Sequence, residues 1–272
     1  MSPRPITFLS DFGLADEFVA VCKGVIWQVL PEVRIIDVTH NVPHHDVRSG
    51  ALTMARAIQY LPPGVHIAVV DPGVGTERAP IAVTSADGRI FVGPDNGLLS
   101  PAVQVCGGAS EAVILDPLRW GMEMPAATFH GRDVFAPAGA ALAGGVPLLE
   151  LGTEVDPAEM MPLLLPLCRQ VGDGIACEVL WVDHYGNCAT NVSEVDLEEA
   201  GIGMGDRVEI EWNRRTERAD YVRAYGDVDK AHLLVSIDSA GQLAISVSHG
   251  NAARELGLAE GDSLLVRRAG SS

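Results

Sequence analysis

Up to about residue 145, short apolar runs alternate with helical patterns. "ITFLSDF", Ile6 to Phe12, reads as a buried strand. From Asp16, placed to cap a helix, "DEFVAVCKGVIWQVLP" sets Phe18, Cys22, Val25, Ile26 and Val29 on one face and stops at Pro31. "RIIDVTH" is a second strand, and Asp46 opens a second helix with Val47, Ala51, Met54, Ala55 and Ile58 inward, ending near "LPPG". "VHIAVVD", "PIAVTS" and "RIFVGPDNG" continue the strand series. This β-α-β-α-β order predicts an α/β architecture: a mostly parallel sheet covered by helices. In such sheets ligands sit beyond the carboxyl ends of the strands. Asp11, His40, Asp71 and Asp95 each fall at the end of an apolar strand, so the pattern brings four polar groups to one rim.

Around "CRQVGDGIA", Cys168 to Ala176, the period changes. "IACEVLWVD", "DRVEIEW", "HLLVSID", "QLAISVS" and "DSLLVRR" read as strands separated by glycine and polar turns, and only "NAARELGL" reads as a helix. The expected division is an N-terminal α/β domain over residues 1–168 and a smaller, β-rich domain over residues 171–272. There is no internal repeat and no low-complexity tract.

Composition narrows the partners. A chain of 272 residues that is 47% hydrophobic folds as a globular protein with ample core. A formal charge of −17 argues against nucleic acid and against an anionic membrane surface. The five cysteines (Cys22, Cys106, Cys168, Cys177 and Cys188) are scattered without a C-x-x-C pair, as expected of reduced thiols in a cytoplasm. The start, "MSPRPITFLSDFG", lacks the pattern of a signal peptide, and "MMPLLLPLC" is too short and proline-broken to span a bilayer. A soluble, cytoplasmic protein is expected.

The candidate chemistry lies in the loops. "DPGVGTERAP" puts a carboxylate, a glycine-rich bend and a guanidinium within eight residues, Asp71 to Arg78. It matches neither a Walker phosphate loop nor a dinucleotide turn. Pro72 and the two glycines make a tight turn on any reading. "TFHGRDVFAP" adds His130 at a helix entry, with Asp133 as the expected cap. Metal ligation by Asp11, His40, His44, His45, Asp71 and His130 finds no zinc-type spacing, and Arg78 beside the site would oppose a divalent cation, so no metal is expected. In the β-rich part, "WVDHYGNCATN" combines Asp183, Tyr185 and Asn187. An amide beside a ring suits a purine, stacking on its face and hydrogen-bonding its edge. A hairpin turn with a packed tyrosine accounts for the same residues.

Taken together, "SDFG", "IIDVTHNVP", "VVDPGVGTER", "FVGPDNG", "TFHGRD", "VDHYGN" and "HGNAARELG" resemble one family, the S-adenosyl-L-methionine hydroxide adenosyltransferases (SAM hydrolases), relatives of the fluorinase and chlorinase. The resemblance runs from residue 6 to residue 268. It implies an N-terminal α/β domain, a C-terminal β-barrel-like domain, and a homotrimer whose active sites lie at subunit interfaces. It further implies hydrolysis of S-adenosyl-L-methionine to adenosine and L-methionine without a cofactor. The family's acid, arginine and histidine fall on Asp71, Arg78 and His130. Asp11 is expected at the ribose diol, Tyr185, Asn187, Phe129 and the backbone near Ala252 at adenine, and Asp183 and Ser239 at the methionine end.

The chain departs from the halogenases in several places. His45 stands where they place an aromatic over the ribose, and Ala189 stands where the fluorinase has a tryptophan. The fluorinase insertion after the "DPGVG" region is lacking, and Asp71 replaces a halogenase tyrosine. A carboxylate repels halide, which points to water as nucleophile. The sequence reading offers neutral His130 as the proton acceptor, with Asp71 and Arg78 orienting the water, and leaves the choice between His130 and Asp71 open. A halogenase, or a non-catalytic adenosine or S-adenosylmethionine sensor, are the alternatives.

Overall fold

The structure is a computed structural model that describes residues 2–120 and 126–270. The chain divides into two compact units, residues 1–164 and 165–272.

Unit one contains β1 (Ile6–Ser10), α1 (Phe18–Val29), β2 (Ile35–Thr39), α2 (Val47–Ala57), β3 (Val65–Val69), β4 (Pro80–Ser85), β5 (Ile90–Pro94), α3 (Ser100–Val105), β6 (Ala109–Leu115), α4 (Ala136–Ala143) and β7 (Gly152–Val155). These strands form one sheet in the order β2-β1-β3-β5-β4-β6-β7. The expected parallel arrangement holds across β2-β1-β3-β5. It gives way to antiparallel pairing in β4, β6 and β7; residues 86–89 between β4 and β5 are too few for a parallel crossover.

Strand alternation sorts the core into two faces. Ile6 and Phe8 of β1 and Val65, Ile67 and Val69 of β3 pack with Cys22 and Ile26 of α1 and with α4. Leu9, Ala68 and Val70 pack with Ala51 and Met54 of α2 and with α3. Helices therefore cover the sheet on both sides, as the apolar periods require. Two local expectations fail. Asp16 does not cap α1, whose N-cap is Glu17 without a side-chain bond, and the buried face is Val19, Cys22 and Ile26, with Val29 exposed. Asp46 does cap α2, accepting the Ser49 N–H at 2.9 Å.

Unit two contains β8 (Arg169–Val171), β9 (Gly174–Val182), β10 (Cys188–Ser193), α5 (Glu194–Glu199), β11 (Arg207–Trp212), β12 (Arg215–Tyr221), β13 (Leu233–Ile237), β14 (Gln242–Val247), α6 (Ala252–Leu256) and β15 (Ser263–Arg268). The order β10-β14-β13-β12-β11-β15-β9 closes through a β9–β10 pairing, giving a seven-stranded barrel with β8 laid against β9. The expected barrel-like domain is borne out. Among the described residues no helix is long and apolar enough to cross a membrane.

One buried group in unit one titrates against the fold. His66 on β3 is fully buried, paired in register with Thr7, whose Oγ1 lies 2.8 Å from His66 Nδ1. Burial, and then the Arg89 charge, lower its pKa from 6.5 to about 4. Between those values the unfolded chain binds a proton that the native state refuses, so stability is full above pH 6.5 and falls as pH drops toward 4. The expected loss from this group is about 3 kcal/mol at 1.36 kcal/mol per unit. Denaturant titrations of wild type and H66Q at pH 7 and pH 4 check this: the wild type should lose that much more than the variant.

Candidate active site

The carboxyl ends of β1 and β3 open into a cavity of about 310 Å³ in unit one, lined by Asp11, His45, Asp71, Phe129 and His130 among others. Asp71 follows β3, and the turn from Asp71 to Arg78 folds back so that Arg78 meets it. Arg78 Nε donates to Asp71 Oδ1 at 3.1 Å, and Nη2 donates to Oδ2. Both side chains are more than nine-tenths buried (6% and 7% exposed), so this is not the solvated surface pair that a turn alone would give. Nη2 also lies 3.2 Å from His130 Nδ1, and the guanidinium carbon sits 5.5 Å from the Phe135 ring centroid. The Asp71–Arg78 turn and an imidazole 52 residues farther along the chain thus form one cluster.

A guanidinium is always protonated and has no acceptor. Its contact with Nδ1 therefore makes that nitrogen the acceptor, and the neutral ring carries its proton on Nε2. Burial, followed by the Arg78 charge, lowers the pKa of His130 below its ordinary 6.5. A second ring proton would point at Nη2–H.

The loop that carries His130 is braced from below. Gly75 has φ +77, and a Cβ there would meet the Ala127 carbonyl oxygen at 2.6 Å, so glycine alone lets the two loops touch. Asp133 is not the expected cap: a π-helical turn spans Gly131–Phe135 with Asp133 inside it, N-capped by His130. The Asp133 carboxylate instead accepts the Ala126 N–H at 2.9 Å and pairs with Arg132. Phe129 packs edge-on against Phe12 and Phe18, with centroids 5.8 and 5.3 Å away.

Opposite stands Asp11, its side chain 5% exposed. Its Oδ2 accepts the His45 N–H at 2.9 Å and lies 3.4 Å from His44 Nδ1. His45 has φ +63, a left-handed conformation rare for a side-chain-bearing residue, and its ring stacks on His44 at 3.8 Å.

Two of the four strand-end groups do not join the cavity. His40 is buried, its Nδ1 2.7 Å from Ser10 Oγ and its Nε2 3.1 Å from Asp37. Asp95 Oδ1 accepts the Met161 N–H at 2.8 Å. Each is consumed by a local polar partner. Among the described residues, no group of three or more His, Cys, Asp or Glu is gathered as a metal ion would need. Phe12, Phe18 and His44 line the cavity without having been assigned to the substrate site in sequence, where Phe12 appears only in the "ITFLSDF" run and the "SDFG" motif, Phe18 only on a helix face and His44 only among metal-ligand candidates.

In unit two, Asp183 Oδ1 accepts the N–H groups of Tyr185 and Asn187 at 2.9 and 2.8 Å, and Oδ2 accepts Asn187 Nδ2 at 2.7 Å. The carboxylate thereby shapes the turn and fixes the amide's orientation, leaving Asn187 Oδ1 as the acceptor. Tyr185 is exposed. The turn docks on α6, which begins at Ala252: Ala253 N–H donates to Gly186 O at 2.9 Å. Gly186 has φ +88, and a Cβ there would collide with the Asn251 amide. Ser239 sits apart, exposed in the β13–β14 turn.

Comparison with known proteins bears on this arrangement. Residues 6–152 match the SAM hydroxide adenosyltransferase N-terminal domain, and residues 177–265 match the C-terminal domain. The chain is 48% identical to an (R)-S-adenosyl-L-methionine hydrolase of Salinispora tropica, covering 98% of this chain and 99% of that one. It is 30% identical to a fluorinase of an Actinoplanes species, covering 75% and 77%. A crystal structure of an uncharacterized conserved protein from Thermotoga maritima superposes with a TM-score of 0.90 at 36% identity, covering 97% of this chain and 100% of that one.

The site makes one prediction that needs no ligand. In R78M the cation that opposes ring protonation is removed while Asp71 remains, so the His130 pKa should rise. Nitrogen-detected NMR titration of the imidazole reads this directly, and an unmoved midpoint would deny the Arg78–His130 contact.

Proposed function

We infer a hydrolytic activity: the chain belongs to the SAM hydroxide adenosyltransferase family, and it hydrolyses S-adenosyl-L-methionine to adenosine and L-methionine. The observation that carries the reading is the buried Asp71–Arg78 pair bonded to His130 at one wall of a cavity.

In the proposed reaction a water oxygen attacks C5′ in line with the sulfonium. The C–O bond forms, the C–S bond breaks with its electron pair going to sulfur, and one proton leaves the water. Methionine departs neutral at sulfur, so the leaving group needs no acid, and the reaction as written calls for no metal or organic cofactor. The difficulty is the nucleophile. Free hydroxide at pH 7 lies roughly 12 kcal/mol uphill, from a water pKa of about 15.7. One cation about 4 Å away offsets on the order of 4 kcal/mol at an effective dielectric of about 20. Arg78 therefore does not sustain a standing hydroxide, and the proton leaves during attack.

The hydrogen bond from Arg78 changes the division of labour expected from sequence. With Nδ1 occupied and Nε2 already protonated, neutral His130 has no free lone pair. It acts as a donor that holds the water oxygen. The Asp71 carboxylate has about four lone-pair positions, of which Arg78 fills two. Asp71 is then the proton acceptor, and a placed base contributes roughly 10²–10⁴ in rate.

The substrate contacts follow from the family resemblance together with the local geometry. Asp11, held by His45, takes the ribose hydroxyls, with the His45 and Phe129 rings beside them. Asn187 Oδ1, Tyr185 and the backbone at Ala252 take adenine. Asp183 and Ser239 are assigned to the methionine end, Asp183 chiefly through the turn it organises. We further propose a homotrimer with active sites completed between subunits, and a cytoplasmic location consistent with five free thiols.

Incubation in ¹⁸O-enriched water should place the label on the adenosine 5′-hydroxyl without any chloride requirement; unlabelled nucleoside would end the hydrolytic reading. D71N should lower kcat by about 10²–10⁴. H130Q, which keeps an N–H donor, should retain more activity than H130A, whereas equal losses would return the base to the imidazole. Because ring protonation opposes Arg78, the acid limb of kcat/KM should fall below pH 6.5, with activity lost as pH drops through the depressed value.

A further inference from the structure

The loop from Asp71 to Arg78 carries two of the three catalytic groups, and something must hold its ends. Inside the loop the bonds are local: Val74 N–H to Asp71 O at 3.3 Å, and Thr76 N–H and Oγ1 to Gly73 O at 3.1 and 2.7 Å. Those bonds shape the turn but do not attach it to the sheet.

The attachment comes from the "GPDNG" bend, Gly93 to Gly97, after β5. β4 and β5 end on a facing pair of prolines, Pro80 and Pro94, neither of which has an N–H to give. Just beyond them the Asp95 N–H donates to Ala79 O at 3.0 Å, which fixes the residue after Arg78. Asn96 Nδ2 donates to Val70 O at 2.9 Å, which fixes the residue before Asp71. The same amide's Oδ1 accepts the Leu98 N–H at 3.1 Å, so its orientation is determined from both sides. Val70 is fully buried, and a buried carbonyl needs a donor. The bend thus grips the entry and the exit of the loop at once.

We propose that Asn96 is a positioning residue for catalysis, acting through the Val70 carbonyl to hold the Asp71 carboxylate in line with Arg78 and His130. This rests on the hydrolytic reading above. Asn96 lines no part of the cavity and touches no substrate in that reading. Its effect should therefore fall on kcat and spare KM, since Asp11, His45 and Phe129 are held by other contacts. A misplacement of about 1 Å at reacting groups costs on the order of 10² in rate.

The bland alternative is that Asn96 merely makes the turn to Leu98. Two variants separate the readings. N96A removes both bonds, whereas N96D keeps the acceptor for Leu98 and sets a carboxylate oxygen against the Val70 carbonyl in place of the donor. Each is assayed for adenosine release, with kcat expressed per adenosine-binding site counted by calorimetry, so that a misfolded fraction does not imitate slow turnover. Both should lose about 10- to 100-fold in kcat with KM changed less than about threefold. Wild-type kcat in either variant would overturn the proposal, and so would a loss confined to KM. The imidazole titration of His130 reads the same brace without turnover: its midpoint should fall in N96A as the Asp71 carboxylate, which raises it, moves out of line, and an unchanged midpoint also overturns it. Wild-type enzyme that released no adenosine would count against the hydrolytic reading and leave the titration to decide the brace.

Discussion

A guanidinium withdrawn from water must find acceptors for its donors and a counter-charge, and the cavity face of unit one is arranged around that need. Arg78 is 7% exposed, so leaving it unpaired would be far more costly than on a surface. Its N–H groups reach Asp71 twice and His130 once. Each bond then constrains a partner. The carboxylate is held flat against the fork, and the imidazole is held in one tautomer. Two of the three guanidinium nitrogens, Nε and Nη2, find acceptors, and that pairing sets the geometry of the cluster.

Such a cluster needs a scaffold that does not yield. Parallel strands β1 and β3 bring Asp11 and Asp71 to one cavity, Asp11 one residue past the end of β1 and Asp71 two past the end of β3, where Ser10 and Val69 are paired. The third group arrives on a different segment, and its approach depends on close contact between loops. Gly75 permits that contact by lacking a side chain, and Asp133 holds the far side by accepting the Ala126 N–H. Asp95 N–H to Ala79 O carries the β4–β5 pairing one residue past the facing prolines, and the Asn96 amide ties the same bend to Val70. Where regular structure stops, side chains and glycines take over the task of fixing position.

The fold was legible wherever one period dominated. β1, α2 and β3 stand close to their sequence-derived positions because apolar spacing and a capping Asp46 agree. β12, "RTERADY", was missed since its burial is confined to Ala219 and Tyr221, and its Arg218 is answered by Glu209, directly opposite on the adjacent strand β11. β10 was hidden inside what reads as a turn, "GNCATN". α5 carried a signal that went unused: Ser193 and Asp196 form a capping box. At the site, the strand-end rule brought Asp11 and Asp71 to one cavity but also proposed His40 and Asp95, which local partners claim. Nothing in the spelling of those four positions distinguishes a polar group that faces a cavity from one whose neighbour already holds it. Likewise, the tautomer of His130 follows from a contact 52 residues away along the chain.

In the proposed reaction, the pairing of Asp71 with Arg78 also resolves a conflict in the chemistry. Substrate carries a positive charge that disappears as the C–S bond breaks. A bare carboxylate beside it would stabilise the ground state more than the transition state and slow the reaction. A neutral base would avoid that penalty, yet the only imidazole in the cluster has its lone pair occupied. A carboxylate whose charge is largely balanced by an adjacent guanidinium meets both demands. It presents little net charge to the sulfonium, and it keeps lone pairs free to receive a proton. As the proton arrives, the acid becomes neutral, Arg78 is left less compensated, and the charge lost at sulfur reappears at the guanidinium. Positive charge therefore moves from substrate to protein during the step, which ties the rate to how well Phe135 and the surrounding dipoles hold that cation.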